Sequence, residues 1–362
     1  MSDVVITSVD QVTTGWLSDV LRQGGTLDQG AVESFALETG VATLSTNARL
    51  DLTYSADAQG ARPRKLFLKM VNTDLKDEFF DDTEINYYFR DYIGLESAPL
   101  VRAYDAAYSE AQRRYHLLMA DHSETHTVAL YKPVTLEYGL ALAEALAILH
   151  AHWWGRERLE SGKSPIPSAD VIRRFVSIAE PGAGHIIAGC ADQLKPHWPA
   201  LLREVYAHHP RLMIERTRDS SDGSGFTLIH GDLNGFNILV PKAGDRPIYL
   251  LDRQPFDWSL TTWLGVYDLL FPMLTDWEVE QRRAYEQPIL RCYHQCLIER
   301  GVQKYSWEQL WRDYRLSAVI CVYVATEWCR GFLNVGGMPR WMPMLHKTLT
   351  ALDDLDCAAL WA

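Results

Sequence analysis

The sequence has no long apolar run and few basic residues for its length. No apolar stretch in the 362 residues approaches the roughly 20 residues that a membrane-spanning helix needs, so we expect no membrane association. Lysine and arginine total 35 against 47 aspartates and glutamates, which gives a formal net charge of −12. Nucleic-acid binding needs clustered Lys and Arg, so we predict no nucleic-acid partner. The same charge is compatible with a cationic small substrate or with an ordinary acidic protein.

Cysteine is sparse, and no Cys-x-x-Cys pair is present among the six cysteines, which argues against a zinc site and against a disulfide framework. Cys292, His294 and Cys296 lie at helical spacing, a pattern that we interpret as a buried helix face rather than as a metal site. The N-terminal segment, MSDVVITSVD, is acidic and lacks a basic and apolar leader. We therefore expect reduced thiols and a cytoplasmic location.

The length and the order of the local patterns predict a protein of two lobes or domains, because 362 residues exceed what one core usually supports. Alternating patterns predict strands at 34–38, 48–55, 64–72 and 113–121, with a helix over 77–94 between the last two. The remainder is mainly helical, and the predicted helices span 135–154, 169–180, 185–209, 278–300, 307–333 and 340–360. Within 226–252, two short strands that flank a polar stretch interrupt these helices, and a hairpin turn at 241–247 connects NILV to IYLLD.

The stretch LIHGDLNGFNILV, residues 228–240, places polar residues inside a run that otherwise predicts buried strands. Buried polar groups cost free energy unless they are paired. The four polar side chains between the apolar segments therefore indicate a functional role, and they are His230, Asp232, Asn234 and Asn237. Asp232 and Asn237 are five residues apart, and Asp252 follows the next predicted strand. Phosphoryl transfer needs a proton acceptor for the attacking hydroxyl and oxygen ligands for Mg²⁺. The structural alternative is an Asx-turn between strands, with His230 hydrogen-bonded in the core.

The segment HGDLNGFN resembles the His-Gly-Asp-x-x-x-x-Asn loop of the aminoglycoside phosphotransferase and choline kinase group. The segment LLDRQ stands where that group carries its metal-binding Asp, and it is similar to the ecdysteroid-kinase-like members. The resemblance runs in order over residues 30–270. It implies an α+β, two-lobed, protein-kinase-like fold with a small antiparallel-sheet N-lobe at 1–120 and a larger, mainly helical C-lobe at 121–362. It also implies Asp232 as the catalytic base and Asn237 and Asp252 as Mg²⁺ ligands.

The same resemblance implies an ATP site in the first lobe. Lys69, on the third predicted strand, would pair with Glu84 of the following helix and contact the ATP phosphates. The phosphate-covering loop falls within 39–46 and departs from the group's pattern, since it holds a single glycine. The nucleotide-contacting residues that the resemblance implies are Gly40, Thr43, Lys69, Glu84, Met119 and Ala120.

Further residues receive roles from the resemblance or from their position. Asp268 corresponds to an Asp that braces the catalytic loop in the group, and His150 corresponds to a structural His. Trp258 and Trp263 lie where this fold lines its acceptor cleft, and Trp153, Trp154, Glu327 and Trp328 lie on helices that would cover it. With twelve tryptophans in the chain, a core position is the more economical interpretation of each.

The predicted function is therefore an ATP-dependent phosphotransferase that acts on a hydroxyl group of a small molecule. The acceptor stays open among aminoglycosides, amino alcohols, macrolides, sterol-like alcohols and sugars, because a fold hosts many substrates. A non-catalytic nucleotide-binding scaffold is the alternative, and the glycine-poor loop motivates it. A protein kinase is disfavoured, since no Ala-Pro-Glu segment and no long activation loop follow Asp252.

Overall fold

The computed structural model describes residues 4–41, 45–72, 80–254 and 256–361. Thr43, predicted to lie in the phosphate-covering loop, falls outside the described residues. The chain divides into two compact units. The first comprises Met1–Glu96, Leu100–Thr127 and Leu239–Asp257, and the second comprises Ser97–Pro99, Val128–Ile238 and Trp258–Ala362. None of the helices in the described ranges is both long enough and apolar enough to cross a bilayer.

The described residues form twelve strands and eleven α-helices, with an α+β composition as predicted. Strands β1–β12 are Leu27–Gln29, Val32–Val41, Ser45–Tyr54, Gln59–Gly60, Lys65–Val71, Ala103–Ser109, Arg114–Ala120, His126–Val128, Phe226–Leu228, Ile238–Pro241, Tyr249–Leu250 and Thr262–Leu264. Helices α1–α11 are Thr14–Gln23, Thr83–Phe89, Leu136–His152, Arg156–Ser161, Ala169–Cys190, Trp198–Asp219, Val266–Thr275, Val279–Glu299, Trp307–Ala318, Ile320–Glu327 and Met338–Asp354.

A five-stranded antiparallel sheet of order β2-β3-β5-β7-β6 forms the centre of the first unit. Strands β2, β3, β5 and β7 confirm the four predicted strands, whereas β6 and helix α1 were not predicted. Side chains alternate between the two faces of a strand. Leu66, Leu68 and Met70 of β5 therefore enter one apolar cluster, which includes Leu17 and Leu21 of α1. Lys69 of β5 projects to the opposite face.

Helix α2 is shorter than the predicted helix over 77–94. It begins at Thr83 and ends at Phe89, and part of the predicted range is not described. Immediately after the helix, Asp91 is buried in an ion pair with Arg253, at 3.1 Å between Oδ2 and Nη1. The chain continues in turns from Arg90 to Gly94.

The β10–β11 hairpin belongs to the first unit, and its turn lies at the predicted 241–247 segment. Leu239 and Tyr249 pack against the apolar cluster that contains Val71 and Leu117 of the sheet. Residues 239–257, which the sequence assigns to the C-lobe, thus group with the sheet because their apolar side chains are buried there. Asp252, two residues after the end of β11, is in the same unit as Lys69.

The second unit is mainly helical, with β9 and β12 paired antiparallel. Helix α3 confirms the helix predicted at 135–154 and packs along α8. The single helix predicted over 307–333 is two helices, α9 and α10, which meet at Val319. Helix α4 was not among the predicted helices.

We predict opposite effects for two glycines of α5. A Cβ at Gly182 would overlap the backbone carbonyl of Thr326 on α10, whereas a Cβ at Gly184 would meet no atom within 4 Å. Gly182→Ala should lower the free energy of unfolding by about 1–3 kcal/mol through overpacking. Gly184→Ala should raise it by roughly 0.5–1 kcal/mol through helix propensity. Urea unfolding measures both, and equal effects would contradict the close α5–α10 packing.

Candidate active site

Lys69 lies in a buried charge cluster within the first unit. Its Nζ is 2.9 and 2.7 Å from Oε1 and Oε2 of Glu84, and it also contacts Oδ1 of Asp252. The Glu84 carboxylate is completely buried and accepts a further hydrogen bond from the hydroxyl of Tyr115. The structure thus brings the predicted Lys69 and Glu84 together and adds Asp252 to them. Tyr115 is a fourth member that the sequence did not indicate.

Burial and charge oppose each other in this cluster. Burial alone would lower the pKa of Lys69, but the charges of Asp252 and Glu84 outweigh it and hold the pKa above its usual range. Burial raises the pKa of the Glu84 carboxyl to about 7, against the lowering effect of Lys69. The lysine is therefore a fixed ammonium group, with two carboxylates that orient it.

Asp252 has an unusual backbone conformation. Its φ of 63° lies in the left-handed region, which Asp tolerates better than most residues but still at a cost. Its side chain is 49% exposed, while Arg253 next to it is anchored in the unit by the buried ion pair with Asp91. Strained residues concentrate at functional sites, so the conformation supports a functional role for Asp252. The anchoring pair was not predicted, because Asp91 and Arg253 are 162 residues apart.

Residues 230–237 of the second unit, called here the 230–237 loop, are held by Asp268 of α7. The backbone N–H groups of His230 and Gly231 donate to the two carboxylate oxygens of Asp268, at 2.6 and 3.0 Å. Gly231 has a φ of 86°, a conformation that favours glycine. Burial would raise the pKa of Asp268, but the hydrogen bond from His150 and the N–H of Gly231 are among the contacts that hold the pKa below its usual range.

A hydrogen-bonded chain continues from Asp268 to α8. Nε2 of His150, on α3, lies 3.2 Å from Oδ2 of Asp268, and Nδ1 lies 2.7 Å from the hydroxyl of Tyr293 on α8. This network assigns the proton to Nε2, with Nδ1 accepting from the tyrosine. All three side chains are buried. His150 is therefore placed to support the loop indirectly, and no pattern in the sequence indicated Tyr293.

Two side-chain amides orient the carboxylate of Asp232. Nδ2 of Asn234 is 3.1 Å from Oδ1, and Nδ2 of Asn237 is 3.3 Å from Oδ2 and 2.7 Å from the Asp232 carbonyl oxygen. In this orientation the amide oxygen of Asn237 points away from Asp232, and none of the described residues donates a hydrogen bond to it. The loop therefore presents an oriented carboxylate and an amide oxygen suited to a hard cation.

Asp276, at the end of α7, is a loop contact that sequence reasoning missed. Its Oδ2 accepts a 2.6 Å hydrogen bond from the backbone N–H of Gly235, whose carbonyl accepts from the N–H of Leu130 at 3.0 Å. A Cβ at Gly235 would lie 3.2–3.3 Å from Leu130 and Asp276, so a side chain there would be crowded. The middle of the loop is thus fixed from two sides. No motif in the sequence around Asp276 indicates this contact.

The other predicted nucleotide-site residues lie in regular sheet structure. Gly40 pairs with Asn47 across β2 and β3, so most of the described part of the predicted loop is strand. Met119 and Ala120 are the last two residues of β7, where Met119 is buried in the sheet cluster and Ala120 is partly exposed. Their contacts with a nucleotide stay a prediction.

The tryptophans suggested for the acceptor region separate into core and surface residues. Trp263 is fully buried against Phe226, and Trp153 is buried beneath the guanidinium of Arg158. Trp328 is partly exposed at the end of α10. The core interpretation therefore holds for Trp263 and Trp153.

Comparison with protein-family models finds no match, and comparison with curated proteins finds none. Among solved structures, an ethanolamine kinase of Plasmodium vivax matches with a TM-score of 0.53 at 12% identity, over 86% of this chain and 81% of that chain. A choline kinase of Cryptosporidium parvum matches with a TM-score of 0.53 at 10% identity, over 96% and 98%. A glucosamine kinase matches with a TM-score of 0.52 at 14% identity, over 89% and 80%.

The chain has the fold of these small-molecule kinases. The predicted α+β, protein-kinase-like fold is therefore confirmed, with a sheet-rich N-terminal part and a helical C-terminal part. At these identities the likeness concerns the fold, and the activity has to be argued from the residues of this chain.

We expect Asp276→Ala to loosen the 230–237 loop. Removing the acceptor of the Gly235 N–H should weaken local stability by about 1–2 kcal/mol and speed amide exchange roughly 5- to 30-fold. Hydrogen–deuterium exchange of peptides that cover the loop measures this effect. Asp276→Asn keeps an acceptor oxygen and is the matched control. Unchanged exchange in Asp276→Ala would show that the contact does not hold the loop.

Proposed function

We propose that the chain is an ATP-dependent phosphotransferase that phosphorylates a hydroxyl group of a small molecule. The observation that carries this proposal is the oriented carboxylate of Asp232, on a loop whose backbone is bonded to a buried aspartate. Catalysis of phosphoryl transfer depends mainly on positioning and on neutralising charge, so a rigid loop suits it. The fold shared with ethanolamine, choline and glucosamine kinases supports the same reaction class.

Asp232 is proposed to orient the acceptor hydroxyl and to take its proton as the phosphoryl group transfers. The amides of Asn234 and Asn237 restrict rotation of the carboxylate, which lowers the entropic cost of aligning it with the hydroxyl. Asp268 and Asp276 do not react in this proposal. They hold the backbone from which Asp232 projects.

Asn237 and Asp252 are proposed to hold Mg²⁺, which supplies positive charge that neutralises the ATP phosphates. Both residues fit this role within their own units. The Asn237 amide donates its N–H groups to Asp232 and keeps its oxygen for a cation. The Asp252 carboxylate is half exposed and is held in a fixed backbone conformation. Amide and carboxylate oxygens are ligands that Mg²⁺ prefers.

Lys69 is proposed to contact the ATP phosphates from the face of β5 that bears Glu84. Glu84 holds the ammonium with two hydrogen bonds and is itself buried, so this pair is a permanent feature of the cluster. The third partner, Asp252, is half exposed and is the one that phosphate oxygens would replace. An ammonium group has three protons, which is enough for Glu84 and one phosphate oxygen.

A nucleotide-binding scaffold without catalysis is the second candidate. The observation that favours it is Gly40, the only glycine of the predicted phosphate loop, which is engaged in the β2–β3 ladder. Both candidates share the Lys69 cluster and differ in whether Asp232 performs chemistry. With either function, we propose a cytoplasmic location, as predicted from the sequence.

We expect MgATP to stabilise the folded chain. Ligand at 100 times its dissociation constant adds about 2.7 kcal/mol to the free energy of unfolding, which raises the melting temperature. The shift should depend on Mg²⁺, decrease in Lys69→Met, and increase with one class of hydroxylated compound from a panel. Thermal unfolding with each combination measures this. No shift with any nucleotide would contradict both candidate functions.

Asp232→Asn should fold normally and lose phosphate transfer. Removing a positioned base costs roughly 10²- to 10⁴-fold in rate, whereas nucleotide binding does not need that carboxylate. This variant should therefore lose turnover with the acceptor found in the panel but keep the MgATP-induced shift in melting temperature. Asp245→Asn, in the exposed hairpin turn, is the control. Wild-type turnover in Asp232→Asn would exclude Asp232 as the base, and no transfer by the unmodified chain would favour the scaffold.

A further inference from the structure

Cys292 and Cys296 form a close pair of thiols on α8. Their Sγ atoms are 4.0 Å apart, and both side chains are partly exposed beside α3. The other four cysteines, Cys190, Cys321, Cys329 and Cys357, are buried. The pair is therefore the accessible thiol site of this chain, and it contradicts the interpretation of these positions as a buried helix face.

The separation of the two sulfurs matches that of two ligands of one metal ion. Thiolates bind Zn²⁺ at about 2.3 Å, and tetrahedral geometry then places two of them roughly 3.8 Å apart. Residues at i and i+4 lie on one face of a helix, which is the spacing that lets a helix supply two ligands to one ion. The observed separation of 4.0 Å between the sulfurs of Cys292 and Cys296 is close to this value.

Charged side chains surround the pair. Glu144 of α3 and Glu299 near the end of α8 are exposed and act electrostatically on both thiols, whereas Arg300 acts in the opposite sense on Cys296. In contrast, His294 lies on another face of α8, where its Nε2 is 2.7 Å from the carbonyl oxygen of Tyr305. Among the described residues, no group of three or more His, Cys, Asp or Glu side chains is already arranged around a metal position. The two thiols are thus the fixed part of the site.

We propose that Cys292 and Cys296 bind one soft divalent cation, of the type of Zn²⁺ or Cd²⁺. The two sulfurs supply half of a tetrahedral ligand set, and water or the exposed carboxylate of Glu144 or Glu299 completes it. Soft cations select thiolates over the oxygen donors that Mg²⁺ prefers. The site is in a different place from the 230–237 loop and does not depend on phosphotransferase activity.

Binding replaces two S–H bonds by two sulfur–metal bonds and releases two protons, with no change in oxidation state. Burial raises the pKa of the Cys292 thiol to about 12, with Cys296 as the next cause. Both thiols are therefore protonated at neutral pH, and the cation competes with two protons. Affinity should increase by about a hundredfold for each unit of rising pH near neutrality, because each ligand contributes one proton.

The test is titration of the reduced, metal-free full-length chain with Cd²⁺, followed by thiolate-to-cadmium charge-transfer absorption. One equivalent of Cd²⁺ should saturate the signal. Cys292→Ser and Cys296→Ser should each weaken binding at least tenfold, since one of two fixed ligands is lost. Cys190→Ser removes a buried thiol and should leave the titration unchanged.

A second control separates this site from one that includes the intervening histidine. His294→Gln keeps a donor for the Tyr305 carbonyl and should retain full affinity. In the unmodified chain, Cd²⁺ should also protect Cys292 and Cys296 from alkylation, which mass spectrometry detects without any variant. Unchanged titrations in both cysteine variants, absence of protection, or loss of binding in His294→Gln would each overturn the proposal.

Discussion

The 230–237 loop depends on one buried carboxylate, that of Asp268. An ionised carboxylate out of contact with water costs several kcal/mol unless hydrogen bonds satisfy it. Asp268 meets this requirement with two loop N–H groups and His150, and the shortest of these bonds is 2.6 Å. Removing the loop from this position would take away two of these three hydrogen bonds, so the cost of burying Asp268 becomes a penalty on any other loop conformation. The loop is rigid because the carboxylate is buried.

The same physical principle operates in the first unit with the charges reversed. There a buried ammonium, that of Lys69, is satisfied by the fully buried Glu84 and by the half-exposed Asp252. The two partners differ in what they permit. Glu84 has no access to solvent and can only orient the lysine, whereas Asp252 can exchange the lysine for another cation without becoming desolvated. The proposed contact of Lys69 with nucleotide phosphates relies on this difference, because it needs one carboxylate that stays with the lysine and one that can leave it.

The sequence predicted what is local and missed what is distant. Alternation and helical spacing placed β3, β5, β7 and α3, and the 230–237 loop followed from polar residues in an apolar run. Lys69 and Glu84 were paired through resemblance rather than through spacing. Asp276, Tyr293 and the Asp91–Arg253 pair had no signal, because each contacts residues more than 40 positions away. Hydrogen bonds between distant segments leave no periodic pattern in the sequence.

Helical spacing alone also failed to distinguish the thiol pair from a core face. Residues two positions apart on a helix point about 200° from each other, so His294 cannot share a face with Cys292 and Cys296, whereas the two cysteines share one. Which face of α8 is buried depends on how α3 packs against it, and the side chains of both cysteines stay partly exposed there. The sulfur donors proposed on α8 and the oxygen donors proposed for Mg²⁺ have opposite cation preferences. Since soft cations select sulfur and Mg²⁺ selects oxygen, the two proposals do not compete for the same cation.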